Sequence, residues 1–164
     1  MAQRTMKRTP RQQSDDIMRR MPWSFRLPLW GRLLVDVLAG FAVGLVGSAA
    51  HRMGVPWNVP YGLVLSLLLV GVSAWSARAR SDGLGVGFHL IASGAAVMLI
   101  ASHASNSRAL IIFGYTSDAY SPIMQKAGIV WLLGMVLVQV LVLVMPRQWC
   151  HVPPRERYEH ESTH

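Results

Sequence analysis

Residues 127–145 read AGIVWLLGMVLVQVLVLVM, nineteen positions without a charge. A helix rises about 1.5 Å per residue, so this stretch reaches roughly 28 Å, close to the ~30 Å hydrocarbon core of a bilayer. It is apolar nearly all round, and Gln139 is its one strongly polar side chain. Working outward, three more stretches share that character. No charge falls between Leu84 and Ser102 or between Val59 and Ala77, and between Leu33 and Ala50 the only one is Asp36. The chain has 164 residues, 52% hydrophobic and 15% charged. That leaves too little polar surface to cover four such helices in water. A membrane barrel would instead show alternating segments of ~10 residues. The expected fold is all-α: a membrane-embedded up-and-down bundle of four transmembrane helices, at about 29–50, 59–77, 84–102 and 127–145.

The flanks complete the organisation. Residues 1–28 carry seven basic residues against Asp15 and Asp16 and lack apolar periodicity until Trp23, so they read as a disordered basic tail. Trp23, Phe25 and Trp30 suit the headgroup level, with an apolar body in lipid and a polar edge in water. Pro56 and Pro60 stop the helices on either side of a short turn, and a second short loop covers 78–83. The transmembrane domain closes at Pro146, and 147–164 reads as a second disordered tail. Segment 103–126 is too short in apolar residues to span, and a re-entrant segment, an interfacial segment and a plain loop all fit it. Ser48-Ala49-Ala50 resembles a signal-peptide cleavage site, but the basic region before it and the apolar run are both too long for one.

Charge sets the expected orientation. The formal net charge is +8, which in a membrane chain points to topology before nucleic acid, so no nucleic-acid partner is expected. Four spans place thirteen of the sixteen Lys and Arg residues on one side and leave Arg52, Arg108 and Lys126 on the other. Anionic headgroups and the membrane potential oppose moving cations outward. Both termini are thus expected in the cytoplasm, with the basic tail attracted to anionic lipids. The preponderance of Arg over Lys hints at a GC-rich bacterial genome, and the expected location is the bacterial plasma membrane.

Helices associate in lipid through close packing and polar contacts, so small-residue stripes mark the interior. Asp36, Gly40, Gly44 and Gly47 fall on one helix face. Gly62, Ser66, Ser73 and Ala77 form a second stripe, Gly85, His89, Ser93 and Ala96 a third, and Gly128, Leu132, Met135 and Gln139 a fourth. Gly40, Gly44, Gly47, Ser66 and Ser93 are the expected packing positions. Asp36, His89 and Gln139 share a depth on the cytoplasmic side and are expected to converge as an intramembrane polar cluster. A blander arrangement pairs Asp36 with Arg32 at i, i+4, bonds a neutral His89 to a backbone carbonyl, and makes Gln139 a bridge between helices.

Other groupings are weaker. Cys150 is the single cysteine, so no internal disulfide forms, and with His151, His160 and His164 it lacks a recognised metal-ligand spacing. Gly83-x-Gly85-x-Gly87 lacks the strand–helix setting of a nucleotide loop. No catalytic, metal or cofactor residues are assigned, and no enzyme is expected.

The basic tail, a first helix ending Gly47-Ser48-Ala49-Ala50-His51-Arg52 and a second ending Trp75-Ser76-Ala77-Arg78-Ala79-Arg80 resemble small, uncharacterised four-helix membrane proteins of actinobacteria. The resemblance covers about residues 30–145 and implies the fold and location, with no activity to transfer. The expected role is a non-enzymatic structural or partner-binding membrane component. The alternative is a small transporter or channel using the interior polar residues, which would need a homo-oligomer to enclose a path.

Overall fold

The computed structural model describes residues 9–51, 53, 54, 59–103 and 126–150. Among these residues the structure is helical, with no strand. Helix α1 is Pro10–Arg20, α2 is Leu29–Ala50, α3 is Tyr61–His103 and α4 is Ala127–Val144, with short 3-10 turns at Trp23–Phe25 and Arg147–Cys150. Three segments are long and apolar enough to cross a membrane: Leu29–Ala50, Tyr61–Ser102 and Ala127–Val144. Segment 104–125 lies outside the described residues, as do residues 151–164.

Helix α3 has 43 residues. Laid straight it would reach about 65 Å, twice the hydrocarbon core. It does not run straight, because Asp82 adopts φ 57 and ψ −146. Around that residue Ala77 lies against Gly85 and Ser73 bonds His89, so arms 61–81 and 83–103 fold back antiparallel. The loop expected at 78–83 is thus a correction: helix continues through Ser81, and one residue makes the reversal. The sequence Arg78-Ala79-Arg80 explains the extension, since Arg and Ala are strong helix formers. A non-glycine residue in this conformation costs about 1–3 kcal/mol. What Asp82 supplies in return is a carboxylate, paired with Arg78 Nη1 at 3.3 Å and with the Arg147 guanidinium.

Helix α2 begins directly after Pro28 and ends where the His51 N–H returns to the Gly47 carbonyl at 2.9 Å. Gly54, at φ 94, then turns the chain in a conformation that side chains rarely adopt. Helix α4 stops before Pro146, which has no N–H to continue the ladder.

The amino-terminal region also departs from expectation. Residues 10–20 are helical where composition reads as a disordered tail. The local reason is a capping box, in which the Thr9 hydroxyl accepts from the Gln12 N–H and Gln12 Oε1 accepts from the Thr9 N–H. Pro10 at the first position and an Arg20–Asp16 pair one turn apart support it. The carboxyl end is likewise ordered through Cys150, which is buried, and Trp75 Nε1 donates to the Trp149 carbonyl at 3.2 Å.

The interior has two apolar clusters. One joins Val43, Leu63, Val70, Val97, Trp131 and Met135, and the other joins Ala74, Val86 and Val142. Leu34, Leu38, Leu65, Leu68, Ile91, Met98, Leu133 and Leu141 are all exposed on the outside. A surface of that kind would be a liability in water and is the expected one in lipid. Between the two clusters lies a layer of polar side chains.

Candidate functional site

The layer is built on glycine. A Cβ placed at Gly40 would overlap the His89 backbone, and one at Gly44 would lie 2.7 Å from the Ser93 carbonyl oxygen and 2.9 Å from Ala96 Cβ. One at Gly85 would lie 2.7 Å from Asp36 Oδ2. The facing pairs 36/85, 40/89 and 44/93 advance by four on both helices, so α2 and arm 83–103 run parallel in backbone contact. Absent side chains on α2 admit the opposing backbone and leave the His89 imidazole to reach arm 61–81 and α4. Further along, Gly47 seats the Trp131 ring, which stacks on His51 with centroids 5.9 Å apart, and Ser66 Oγ bonds the Gly62 and Gly47 carbonyls.

His89 and Gln139 are both fully buried and meet directly, His89 Nδ1 to Gln139 Oε1 at 2.7 Å. The roles follow from the one group that can only accept. Gln139 Nε2 lies 3.2 Å from the Met135 carbonyl oxygen, so it is the amide nitrogen that faces there. The same NH₂ donates to Ser93 Oγ at 3.2 Å, and Ser93 in turn donates to the Leu90 carbonyl at 3.0 Å. Gln139 Oε1 therefore accepts, and His89 Nδ1 carries the proton it accepts. On the other side of the ring, Nε2 lies 2.8 Å from Ser73 Oγ. A neutral ring accepts there from the serine. The chain Ser73–His89–Gln139–Ser93 is then satisfied throughout, on groups from both arms of α3 and from α4.

Asp36 takes a different partner. It is fully buried, and its Oδ1 accepts from Arg80 Nε at 3.0 Å. Its Oδ2 lies beside the buried Ser81 side chain. Arg32, the helical neighbour offered as an alternative, donates instead to the Leu27 carbonyl at 2.8 Å and to the Arg80 carbonyl at 3.5 Å. The expected trio thus resolves into a bonded pair, His89–Gln139, and an ion pair one helical turn nearer the arginine-bearing end. Two members escaped the reading of the sequence. Ser73 lies on the second stripe with nothing in the sequence to distinguish it, and the loop expected at 78–83 hides Arg80. Had the helix been continued to Ser81, positions 73, 77 and 80 would have shared one face and directed Arg80 inward.

The packing positions Gly40, Gly44, Gly47, Ser66 and Ser93 are all buried. Among the described residues no three of His, Cys, Asp and Glu gather as a metal site. Compared with known proteins, the chain matches no family model, no curated relative and no solved structure.

Proposed function

We propose that this chain is a four-span protein of a bacterial plasma membrane, with both termini cytoplasmic, acting as a non-enzymatic structural or partner-binding component. The fold-back at Asp82 divides the 42-residue apolar segment into two arms of about 30 Å each, which supports counting two crossings there. The start of α2, the fold-back of α3 and the end of α4, which carry the arginines, then share one face, and the positive-inside rule makes that face cytoplasmic. The pattern-level likeness to four-helix membrane proteins of actinobacteria agrees with this reading.

The observation that carries the functional part is the saturation of the His89–Gln139 layer. Both ring nitrogens and every polar atom of Gln139 are held by other helical groups, and neither side chain is exposed. A transport path requires polar groups that exchange their partners with water or cargo. A closed layer between two apolar clusters instead fixes the rotation and register of the helices, and so acts as a clasp.

Two measurements test this together. Reporter fusions after residues 54, 80 and 150 should read outside, inside and inside. In liposomes loaded with a pH-sensitive dye, the wild-type chain should leak protons no faster than empty liposomes. Gln139→Leu should lower stability by about 1–2 kcal/mol, because the His89 N–H loses its acceptor. Proton flux in the wild type that Gln139→Leu abolishes would overturn the clasp in favour of a transport role.

A further inference from the structure

Arm 61–81 and α4 do not close against each other as tightly as α2 and arm 83–103. Between them runs an entirely apolar groove of about 420 Å³, walled by Val64, Leu68, Gly71 and Trp75 on one side and Val138 and Met145 on the other. From Val64 to Trp75 is eleven residues, about 16 Å, roughly half of the ~30 Å core. That is the length of one lipid chain. A partner helix would need the whole thickness, whereas one lipid chain needs only this much.

The groove ends at arginines. One turn beyond Trp75 on the same helix face comes Arg78, whose Nη2 donates to the carbonyl of groove-lining Met145 at 3.2 Å. Arg78 also lines a neighbouring cleft of about 390 Å³, with Arg32, Arg80, Asp82 and Arg147. Asp82 and the deeper Asp36 neutralise two of these four arginines, leaving a surplus of two positive charges. Arg78 Nε is buried without a partner, and Arg147 is 81% exposed at the cleft mouth. A surplus of guanidinium charge continuous with a chain-length apolar groove calls for an anion that carries an alkyl chain.

We propose that the groove between arm 61–81 and α4 binds one anionic phospholipid from the arginine-bearing leaflet, its chain against Gly71 and its phosphate at Arg78 and Arg147. The inference rests on the membrane reading above, but not on which side the arginines face. Guanidinium groups match phosphate oxygens in geometry and charge. Gly71 keeps the groove open, since a Cβ there would already come within 3.1 Å of Val138.

The test is native mass spectrometry of the full chain in mild non-ionic detergent, titrated with phosphatidylglycerol and, separately, with phosphatidylcholine. One phosphatidylglycerol should be retained per chain, with phosphatidylcholine held at least tenfold more weakly. Arg147→Gln, an exposed change that leaves the fold alone, should weaken phosphatidylglycerol about fivefold, as expected for one cation at the headgroup. Gly71→Leu should weaken both lipids while circular dichroism stays helical. Equal retention of the two lipids, or no effect of Arg147→Gln, overturns the headgroup site. Inorganic phosphate retained as tightly as phosphatidylglycerol, or no effect of Gly71→Leu, overturns the groove. Reporter fusions that invert the topology would refute the cytoplasmic assignment and leave lipid preference in detergent untouched, so the two failures are distinct.

Discussion

The two long seams of the bundle both contain glycine, and they behave in opposite ways. Where α2 meets arm 83–103, Gly40 and Gly44 face backbone atoms, and a methyl group at either would collide with them. Where arm 61–81 meets α4, Gly71 faces only the tip of Val138, and a groove remains. Gly87 and Gly94, on the same arm as His89, would meet nothing within 4 Å. Glycine in these helices is therefore a packing device where a backbone lies opposite, or a large side chain as Trp131 does at Gly47. Elsewhere it leaves a hollow or an indifferent surface.

The sharpest way to break this contrast is to fill the two kinds of site. Gly40→Leu should cost at least about 3 kcal/mol in detergent unfolding, because the obstructing atoms are backbone and cannot turn aside. Gly94→Leu should change stability by no more than about 0.5 kcal/mol. Similar losses at both positions would mean that the tight seam is not where the bundle is held. Gly44→Leu should follow Gly40, since Ser93 and Ala96 stand opposite it in the same way.

The ion pair at the end of the tight seam sharpens the comparison. Asp36→Ala leaves the mostly buried Arg80 guanidinium without its carboxylate, and a loss of about 3 kcal/mol is expected. Asp36→Asn keeps an acceptor for Arg80 Nε and should lose less. An Asp36→Ala, Arg80→Leu double variant should recover part of the loss, since the uncompensated charge is gone. Chemical denaturation of these three and of Arg80→Leu alone, with Asp36→Ala, Arg80→Leu and the double read as a cycle, checks the ordering, and a double variant worse than the sum of its singles would refute it.

A smaller effect than at the ion pair is expected at the reversal between the two arms. Asp82→Gly relieves backbone strain and loses two arginine contacts, so the net change should stay within about 1 kcal/mol. Asp82→Ala loses the same contacts and keeps the strain. Alanine should therefore be the worse replacement, by about 1 kcal/mol. Thermal unfolding that ranks them the other way would show that the turn at Asp82 is not strained as its φ and ψ indicate.

Much of this molecule could be read without its structure. The expected ends of the first membrane helix, about 29 and 50, coincide with Leu29–Ala50, and the fourth ends within one residue of its expected position. A lipid-embedded segment must satisfy its own backbone, so length and apolarity settle it locally. The stripes were legible for the same kind of reason, since helix periodicity alone puts Gly40, Gly44 and His89 on interior faces. The capping box at Thr9 and Gln12 was present in the sequence too, but a strongly basic composition masked it.

What the sequence could not determine was which polar group meets which. Asp36, His89 and Gln139 share a depth, and depth is a property of each helix alone. Their partners depend on how far arm 61–81 continues before it turns, because that extension carries Arg80 onto the inner face. They depend also on the rotation of α4, which brings Gln139 to His89 rather than to Asp36. The groove beside Gly71 belongs to the same class, since a hollow exists only between two surfaces. The sequence by itself decided which segments are helical and apolar enough for lipid, because those properties are summed along one helix. The tertiary structure decided the clasp, the ion pair and the arginine cleft, because each is a contact between residues far apart in the chain, and only the packed backbones bring their side chains within bonding distance.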